Sequence, residues 1–216
     1  MSRLTLVQGP IPPRSILLIR HGETVANASR VVQLPDAPLS EHGVRQAARL
    51  AIRLASYGVE AVVSSDFARA RITAEQICAA TAAPVNFLPE LRERNFGILR
   101  GRPYSECPDD IFAPDYVPPQ GEAWDEFHAR VARAWSKVTA LALEMRGNIA
   151  VVTHGLVCRS IVERLVGLGD LPAPAHWPNA SLTIISAEAP HRLKLLNCTE
   201  HLADLAPRHS PQGGPV

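Results

Sequence analysis

The chain has 216 residues, 46% of them hydrophobic, and a formal net charge of +1 at pH 7. That length supports one sizeable core and the composition excludes a disordered chain. The near-zero charge excludes a global attraction for nucleic acid or an anionic membrane, so any positive potential must be local. No stretch approaches the roughly 20 apolar residues of a membrane span. Met1–Arg14 has no uninterrupted apolar segment of the kind a secretory signal needs, and carries Pro10, Pro12 and Pro13. Cys78, Cys107, Cys158 and Cys198 lie far apart, at neither metal-ligand nor redox-motif spacing, as reduced thiols of a cytoplasmic protein would. Lysine occurs only at Lys137 and Lys194. The many arginines fit a genomic base-composition bias, and equally fit bidentate contact with phosphate.

In chain order, Ser15–Arg20 reads as a buried strand. Ser40 is placed to cap a helix whose apolar face would comprise Val44, Ala47, Ala48, Ala51, Leu54 and Ala55, with Gly58 stopping it. Val59–Ser65 reads as a second buried strand, Asp66 to about Thr81 as a helix, and Val85–Leu88 as a short strand. Glu90–Gln120 is rich in Pro, Gly and Asp and reads as loop with short helical pieces. From Glu122 to Met145, Trp124, Phe127, Val131, Trp135, Val138, Leu141 and Met145 share one stripe of a long amphipathic helix. Asn148–Thr153 is a third buried strand, Leu156–Val166 a helix, and Ser181–Ala187 and Arg192–Asn197 two closing strands. This alternation predicts a three-layer α/β/α sandwich with a mainly parallel sheet. We read a single domain with a core of about residues 15–198, and flexible ends at 1–14 and 206–216.

Two strands end in His-Gly, at His21-Gly22 and His154-Gly155. A lone histidine is usually structural. Two on strand tips of one parallel sheet would share the crevice where such sheets bind ligands, and glycine allows the close approach a phosphate needs. Arg69 lies on the first turn after a third strand end, within reach of that crevice. Arg71 reads equally well as part of a solvated helix face. Glu93, between Arg92 and Arg94, would by itself pass for a surface salt-bridge residue.

The run from Leu17 to Asn27, containing Arg20-His21-Gly22, resembles the signature of the histidine phosphatase superfamily, also called the phosphoglycerate mutase-like family. The similarity continues at Ser65 to Thr73, at Leu91-Arg92-Glu93-Arg94-Asn95-Phe96-Gly97 and at Thr153-His154-Gly155, in the family's order. The resemblance implies that His21 is a nucleophile that becomes phosphorylated and that Arg20, Arg69 and His154 hold the phosphoryl group. It implies that Glu93 protonates the leaving group and that Asn27 and Gly155 contribute to the phosphate pocket. A neutral imidazole suits this chemistry, because a phosphomonoester dianion repels an anionic nucleophile, and flanking arginines disfavour imidazolium. No cofactor is expected, and no metal, since the histidines and carboxylates lack two-metal spacing.

The expected partner is a small phosphorylated metabolite, with a homodimer left open. Tyr104 stands where mutases of the family usually offer a substrate-binding lysine, no Arg-Arg pair follows, and the segment from Glu93 to His154 is short. The sequence therefore resembles the compact phosphatases more than the mutases, with phosphoglycerate mutase as the alternative. A non-catalytic phosphate-binding or interaction module is a second alternative. The Gly101–Gly121 loop, carrying Arg102, Tyr104, Asp109, Asp110, Asp115 and Tyr116, is expected to cover the pocket and select the alcohol half of the substrate.

Overall fold

Strands buried on both faces must be apolar throughout, and the two that fit this description best form the centre of the sheet. In the computed structural model, which describes residues 14–108 and 110–205, β1 (Ser15–Arg20) and β4 (Asn148–Thr153) are buried at every position. They pair in parallel. With β2 (Val59–Ser64), β3 (Val85–Phe87), β5 (Leu182–Ser186) and β6 (Leu193–Cys198) they make a six-stranded sheet in the order β3-β2-β4-β1-β5-β6. The first four strands run parallel, and β5 and β6 are antiparallel to their neighbours.

The alternation of side chains along each strand divides the core into two layers. Ile16, Leu18, Ile149 and Val151 pack under α4 (Trp124–Glu144) and α5 (Gly155–Ser160), against Phe127, Val131, Trp135 and Val157. Leu17, Ile19, Ala150 and Val152 face α2 (Glu41–Leu54) and α3 (Ala68–Thr81), meeting Leu50, Leu54, Ala70, Ala74 and Ile77. A short α1 (Val25–Ala28) follows β1. The predicted three-layer sandwich is therefore the observed one.

Several boundaries shift for identifiable reasons. The helix expected from Asp66 begins at Ala68, because Asp66 accepts from Arg92 Nε at 2.7 Å instead. Beyond Ser160 the predicted helix widens into a π-type turn over Ile161–Val166. On α2 the buried face is His42, Gly43, Gln46, Ala47, Leu50, Ala51 and Leu54, so Val44, Ala48 and Ala55 fall outside it. Polar anchors rotate the helix: Gln46 Oε1 accepts the Glu23 N–H at 2.8 Å, and Ser40 caps by accepting from Gly43 N at 3.0 Å. The expectations for the chain ends fall outside the described residues except at Arg14, whose backbone is bonded to Gly147 and Ala187.

The register that matters for function pairs Arg20 with Thr153, and His21 N donates to the Thr153 carbonyl at 2.9 Å. Ser65 N in turn donates to Val152 at 2.9 Å, so the ends of β1, β4 and β2 lie side by side. The turn after His21 packs directly on α2. A Cβ on Gly43 would lie 1.9 Å from the Glu23 carbonyl oxygen, and one on Gly22 would lie 2.6 Å from the Gly43 carbonyl oxygen. In an exposed helix Gly→Ala would stabilise by about 1 kcal/mol. At this site backbone must move, and overpacking costs about 1–3 kcal/mol. Gly43→Ala should therefore lower the unfolding free energy in a urea titration, and a stabilised variant would contradict the close approach.

Candidate active site

His21 is 1% exposed, and its two ring nitrogens have different partners. Nδ1 lies 2.7 Å from the Gly22 carbonyl oxygen, and Arg69 Nε donates to Nε2 at 3.2 Å. A carbonyl only accepts and a guanidinium only donates, so the proton sits on Nδ1 and the lone pair on Nε2. Burial, then the charges of Arg69 and Arg20, push the His21 imidazole well below its ordinary pKa. The ring is thus a neutral base whose unprotonated nitrogen faces the arginine side of the site.

Arg69 enters on the first turn of α3 and is held by Leu34, whose carbonyl accepts from its Nη1 at 2.9 Å. Thr73 ties this turn to the His21 loop, donating to the Arg69 carbonyl at 2.8 Å and accepting from Gly22 N at 3.1 Å. Burial brings the Arg69 pKa down to about 10, which leaves it cationic at neutral pH. Arg20 is also buried and donates to the Trp177 carbonyl, but its Nε has no partner. His154 caps α5, with Nε2 2.9 Å from Ser65 Oγ and its ring centroid 5.1 Å from that of His21. Its Nδ1 is buried without a partner, and burial, then Arg69, lowers its pKa well below the ordinary range. Buried polar atoms are normally paired. The unpartnered Arg20 Nε and the Arg69 guanidinium, beside a neutral imidazole, describe a place prepared for an anion.

Glu93 completes the site from the segment after β3. Its Oε1 accepts from Arg94 N at 2.9 Å and its Oε2 from Leu156 N at 3.2 Å, which fixes the carboxyl at the start of α5. Thr153 Oγ1 donates to the Leu91 carbonyl at 2.7 Å and secures the same turn to β4. Burial raises the Glu93 pKa, outweighing the two backbone donors and the nearby Arg69 and Arg20. A carboxyl whose pKa is raised in this way is shifted toward the protonated form that a general acid requires.

Arg20, His21, Asn27, Arg69 and Glu93 all border one cavity of about 30 Å³. His154 lies behind its wall, against His21 and Phe67, and Gly155 forms the first turn of α5 without lining the cavity. Asn27 Oδ1 is committed to the Thr24 backbone and to Asn179 Nδ2, which also donates to the His21 carbonyl at 3.1 Å. Tyr104 and Phe112 line the cavity from the long loop. Arg102, Asp110, Asp115 and Tyr116 border neither this cavity nor the neighbouring groove, and Asp109 lies outside the described residues. The groove is an open space of about 910 Å³ beyond Phe67 and Glu93, and the exposed Arg71 is on its wall.

Sequence reasoning missed Arg94, Phe67, Arg100 and Asn179. Arg94 is 1% exposed and reaches the carbonyls of Glu122, Ile111 and Tyr116, with its guanidinium carbon 3.8 Å from the Trp124 ring centroid. It clamps the loop that carries Phe112 over the cavity. Its partners come from distant parts of the chain, so local pattern gave no signal. For Phe67 the signal was present: an apolar residue between a strand tip and Arg69 is placed to wall the same crevice.

The family model described as histidine phosphatase superfamily (branch 1) matches residues 16–199. The chain is 32% identical over 194 residues to the probable phosphoglycerate mutase GpmB of Yersinia pestis (strain Pestoides F), covering 85% of this chain and 81% of that protein. Among solved structures, it is similar to a putative alpha-ribazole-5'-P phosphatase from Escherichia coli str. K-12 substr. MG1655, with TM-score 0.74, 26% identity, and 86% and 96% of the two chains covered. It is similar also to mycobacterial glucosyl-3-phosphoglycerate phosphatase, with TM-score 0.73, 27% identity, and 86% and 99% covered. The phosphoglycerate mutase from Bacillus anthracis str. Sterne superposes with TM-score 0.75 at 24% identity over 90% of this chain and 97% of that one, a likeness of fold. Among the described residues no helix is long and apolar enough to cross a membrane.

The depressed imidazoles of His21 and His154 make stability depend on pH. Below about pH 6.5 an unfolded histidine binds a proton that the buried ring refuses, so stability falls as pH falls, by up to about 1.4 kcal/mol per pH unit for each ring. Their contribution is complete above that pH and is lost toward the folded-state values. Urea midpoints should drop between pH 7.5 and 5.5, and His154→Gln should flatten the slope. A midpoint independent of pH in that window would show that the rings are not buried neutral.

Proposed function

Since the chain belongs to the histidine phosphatase superfamily, we propose that it is a metal-independent phosphatase that hydrolyses small phosphomonoesters through a phosphohistidine at His21. The observation that carries the reading is the orientation of His21: a neutral ring, protonated on Nδ1, whose Nε2 lone pair shares one cavity with Arg20, Arg69 and Glu93.

The chemistry follows from those contacts. A bound phosphoryl dianion draws the Arg69 guanidinium from Nε2 to its own oxygens and frees the lone pair. Nε2 attacks phosphorus in line while the phosphorus–oxygen bond to the alcohol breaks, and Glu93 gives its proton to the departing oxygen. Arg20 and Arg69 hold the charge on the equatorial oxygens, the function a metal performs in other phosphatases. His154, packed against the His21 ring outside the cavity lining, supports the position of that ring, and Asn27, fixed by Asn179, shapes the wall. Glu93, now a carboxylate, then takes a proton from water as the water oxygen attacks phosphorus. The phosphorus–nitrogen bond breaks, phosphate leaves, and both residues return to their starting states.

Hydrolysis of p-nitrophenyl phosphate should continue in excess EDTA, and His21→Ala should abolish it while leaving the circular dichroism spectrum that of a folded protein. Losing an activated nucleophile costs several orders of magnitude in rate. A folded variant retaining a tenth of the activity, or reversible loss on chelation, would overturn the mechanism. Phosphoglycerate mutation is the second reading, favoured by the 32% identity to the probable mutase GpmB. A mutase must interconvert 2- and 3-phosphoglycerate faster than it releases phosphate, whereas the phosphatase reading requires the reverse order.

A further inference from the structure

Ser65, the residue after β2, lines neither the inner cavity nor the groove, yet it is fully buried and hydrogen-bonded through its N–H, its carbonyl and its hydroxyl. Its N–H donates to the Val152 carbonyl at 2.9 Å, and its carbonyl accepts from Ser64 Oγ at 2.8 Å. The hydroxyl has two neighbours. Phe67 N donates to Ser65 Oγ at 3.3 Å, and His154 Nε2 lies 2.9 Å from the same oxygen.

A serine hydroxyl has one proton to give and two lone pairs to accept with, and this decides the state of His154. A backbone N–H only donates, so the hydroxyl proton has one acceptor among the described residues, His154 Nε2. With Nε2 bare and Nδ1 protonated, Ser65 is satisfied and the Nδ1–H alone lacks a partner. The other tautomer leaves two buried groups unpaired, the Ser65 proton and the Nδ1 lone pair, and buried polar groups are costly to leave so. An imidazolium would also set Nε2–H against Ser65, and burial, then Arg69, His21, Arg20 and Arg130, all oppose a charge on this ring.

The ring fixed in this way stands against His21. The two meet at 5.1 Å between centroids with 61° between planes, and Phe67 packs on the His154 ring at 5.4 Å and 65°. One hydroxyl thus holds the His154 ring and the backbone of the aromatic residue packed on it. When His21 Nε2 attacks phosphorus while Nδ1 keeps the proton it turns to the Gly22 carbonyl, the His21 ring itself gains positive charge. A charged His154 at this separation would oppose that step, and a neutral one does not.

We propose that Ser65 is a positioning residue for phosphoryl transfer: by donating to His154 Nε2 it holds His154 neutral, protonated on Nδ1 and seated against the His21 ring while that ring gains charge. The inference rests on the phosphatase reading and adds a residue to it. The tautomer of His154 depends on hydrogen bonding alone, so it can be read without turnover.

The test has two arms, both on the full chain. In the first, long-range nitrogen–proton NMR of histidine-labelled protein, assigned with His154→Gln, should show His154 neutral and protonated on Nδ1, and Ser65→Ala should break that single-tautomer pattern. A ring protonated on Nε2 in the intact protein, or a pattern indifferent to Ser65→Ala, would overturn the proposal. In the second, Ser65→Ala should lower kcat for p-nitrophenyl phosphate about 3- to 10-fold, the loss expected for one buried hydrogen bond. KM should stay within about twofold, since Arg20 and Arg69 are untouched. Added to His154→Gln, the same substitution should cost nothing further, because Ser65 acts through the ring that has been removed. Fully additive losses, or a rise in KM with kcat unchanged, would also overturn it. If the intact protein shows the expected tautomer but does not hydrolyse the ester, the phosphatase reading falls; if it hydrolyses the ester and Ser65→Ala leaves kcat unchanged, only the role of Ser65 falls.

Discussion

The contact between Arg69 Nε and His21 Nε2 sets the chemistry of the whole site, because it is compatible with only one protonation state of the ring. An imidazolium would place two donors face to face, and the opposite tautomer would do the same while leaving the Gly22 carbonyl without a proton to accept. The arginine proposed to bind the phosphoryl group would therefore also hold the proposed nucleophile as a neutral ring with its lone pair on Nε2. Burial reinforces this, since the ring is 1% exposed and flanked by Arg20, Arg69 and His154, so that a charge on it would be poorly solvated.

That contact depends in turn on a packing constraint several residues away. His21 and His154 emerge together because β1 and β4 pair in parallel with Arg20 opposite Thr153. The backbone beyond His21 can turn sharply because Gly22 and Gly43 meet without side chains. Thr73 then fixes the distance between that turn and the helix carrying Arg69. Each link is short and buried, so the position of Nε2 is determined by sheet register and helix packing. Glu93 is fixed differently, by the backbone donors Arg94 N and Leu156 N, which hold the carboxyl in place while burial raises its pKa.

The central strands were legible in the sequence because burial on both faces demands an unbroken apolar run, and Ser15–Arg20 and Asn148–Thr153 have one. The face of α2 was misread for the converse reason. Its burial depends on His42, Gly43 and Gln46, which hydrophobicity alone assigns to solvent, and it leaves Val44 41% exposed. The site followed the same division. His21 and Arg69 announced themselves by their places after strands, Glu93 only through the family resemblance, and the fold collects all three around one cavity. Arg94 and Asn179 could not be found this way, since each acts on segments remote in sequence. The Gly101–Gly121 loop covers the inner cavity through Tyr104 and Phe112, as expected, but it contributes only Gly121 to the outer groove. The groove's walls come from stretches within residues 35–36, 66–71, 89–100 and 121–130, and Arg102, Asp110, Asp115 and Tyr116 do not line it.

The measurement closest to the central claim is the tautomer of His21 in the ligand-free protein, read by long-range nitrogen–proton NMR on histidine-labelled material and assigned with a His21→Asn variant. At about pH 6, below the pKa of a free imidazole, His21 should give the pattern of a neutral ring protonated on Nδ1 alone. Arg69→Ala should then raise its titration midpoint, because it removes a positive charge from beside Nε2. A ring protonated on Nε2, or one that titrates as an ordinary exposed histidine, would contradict the arrangement on which the proposed chemistry rests.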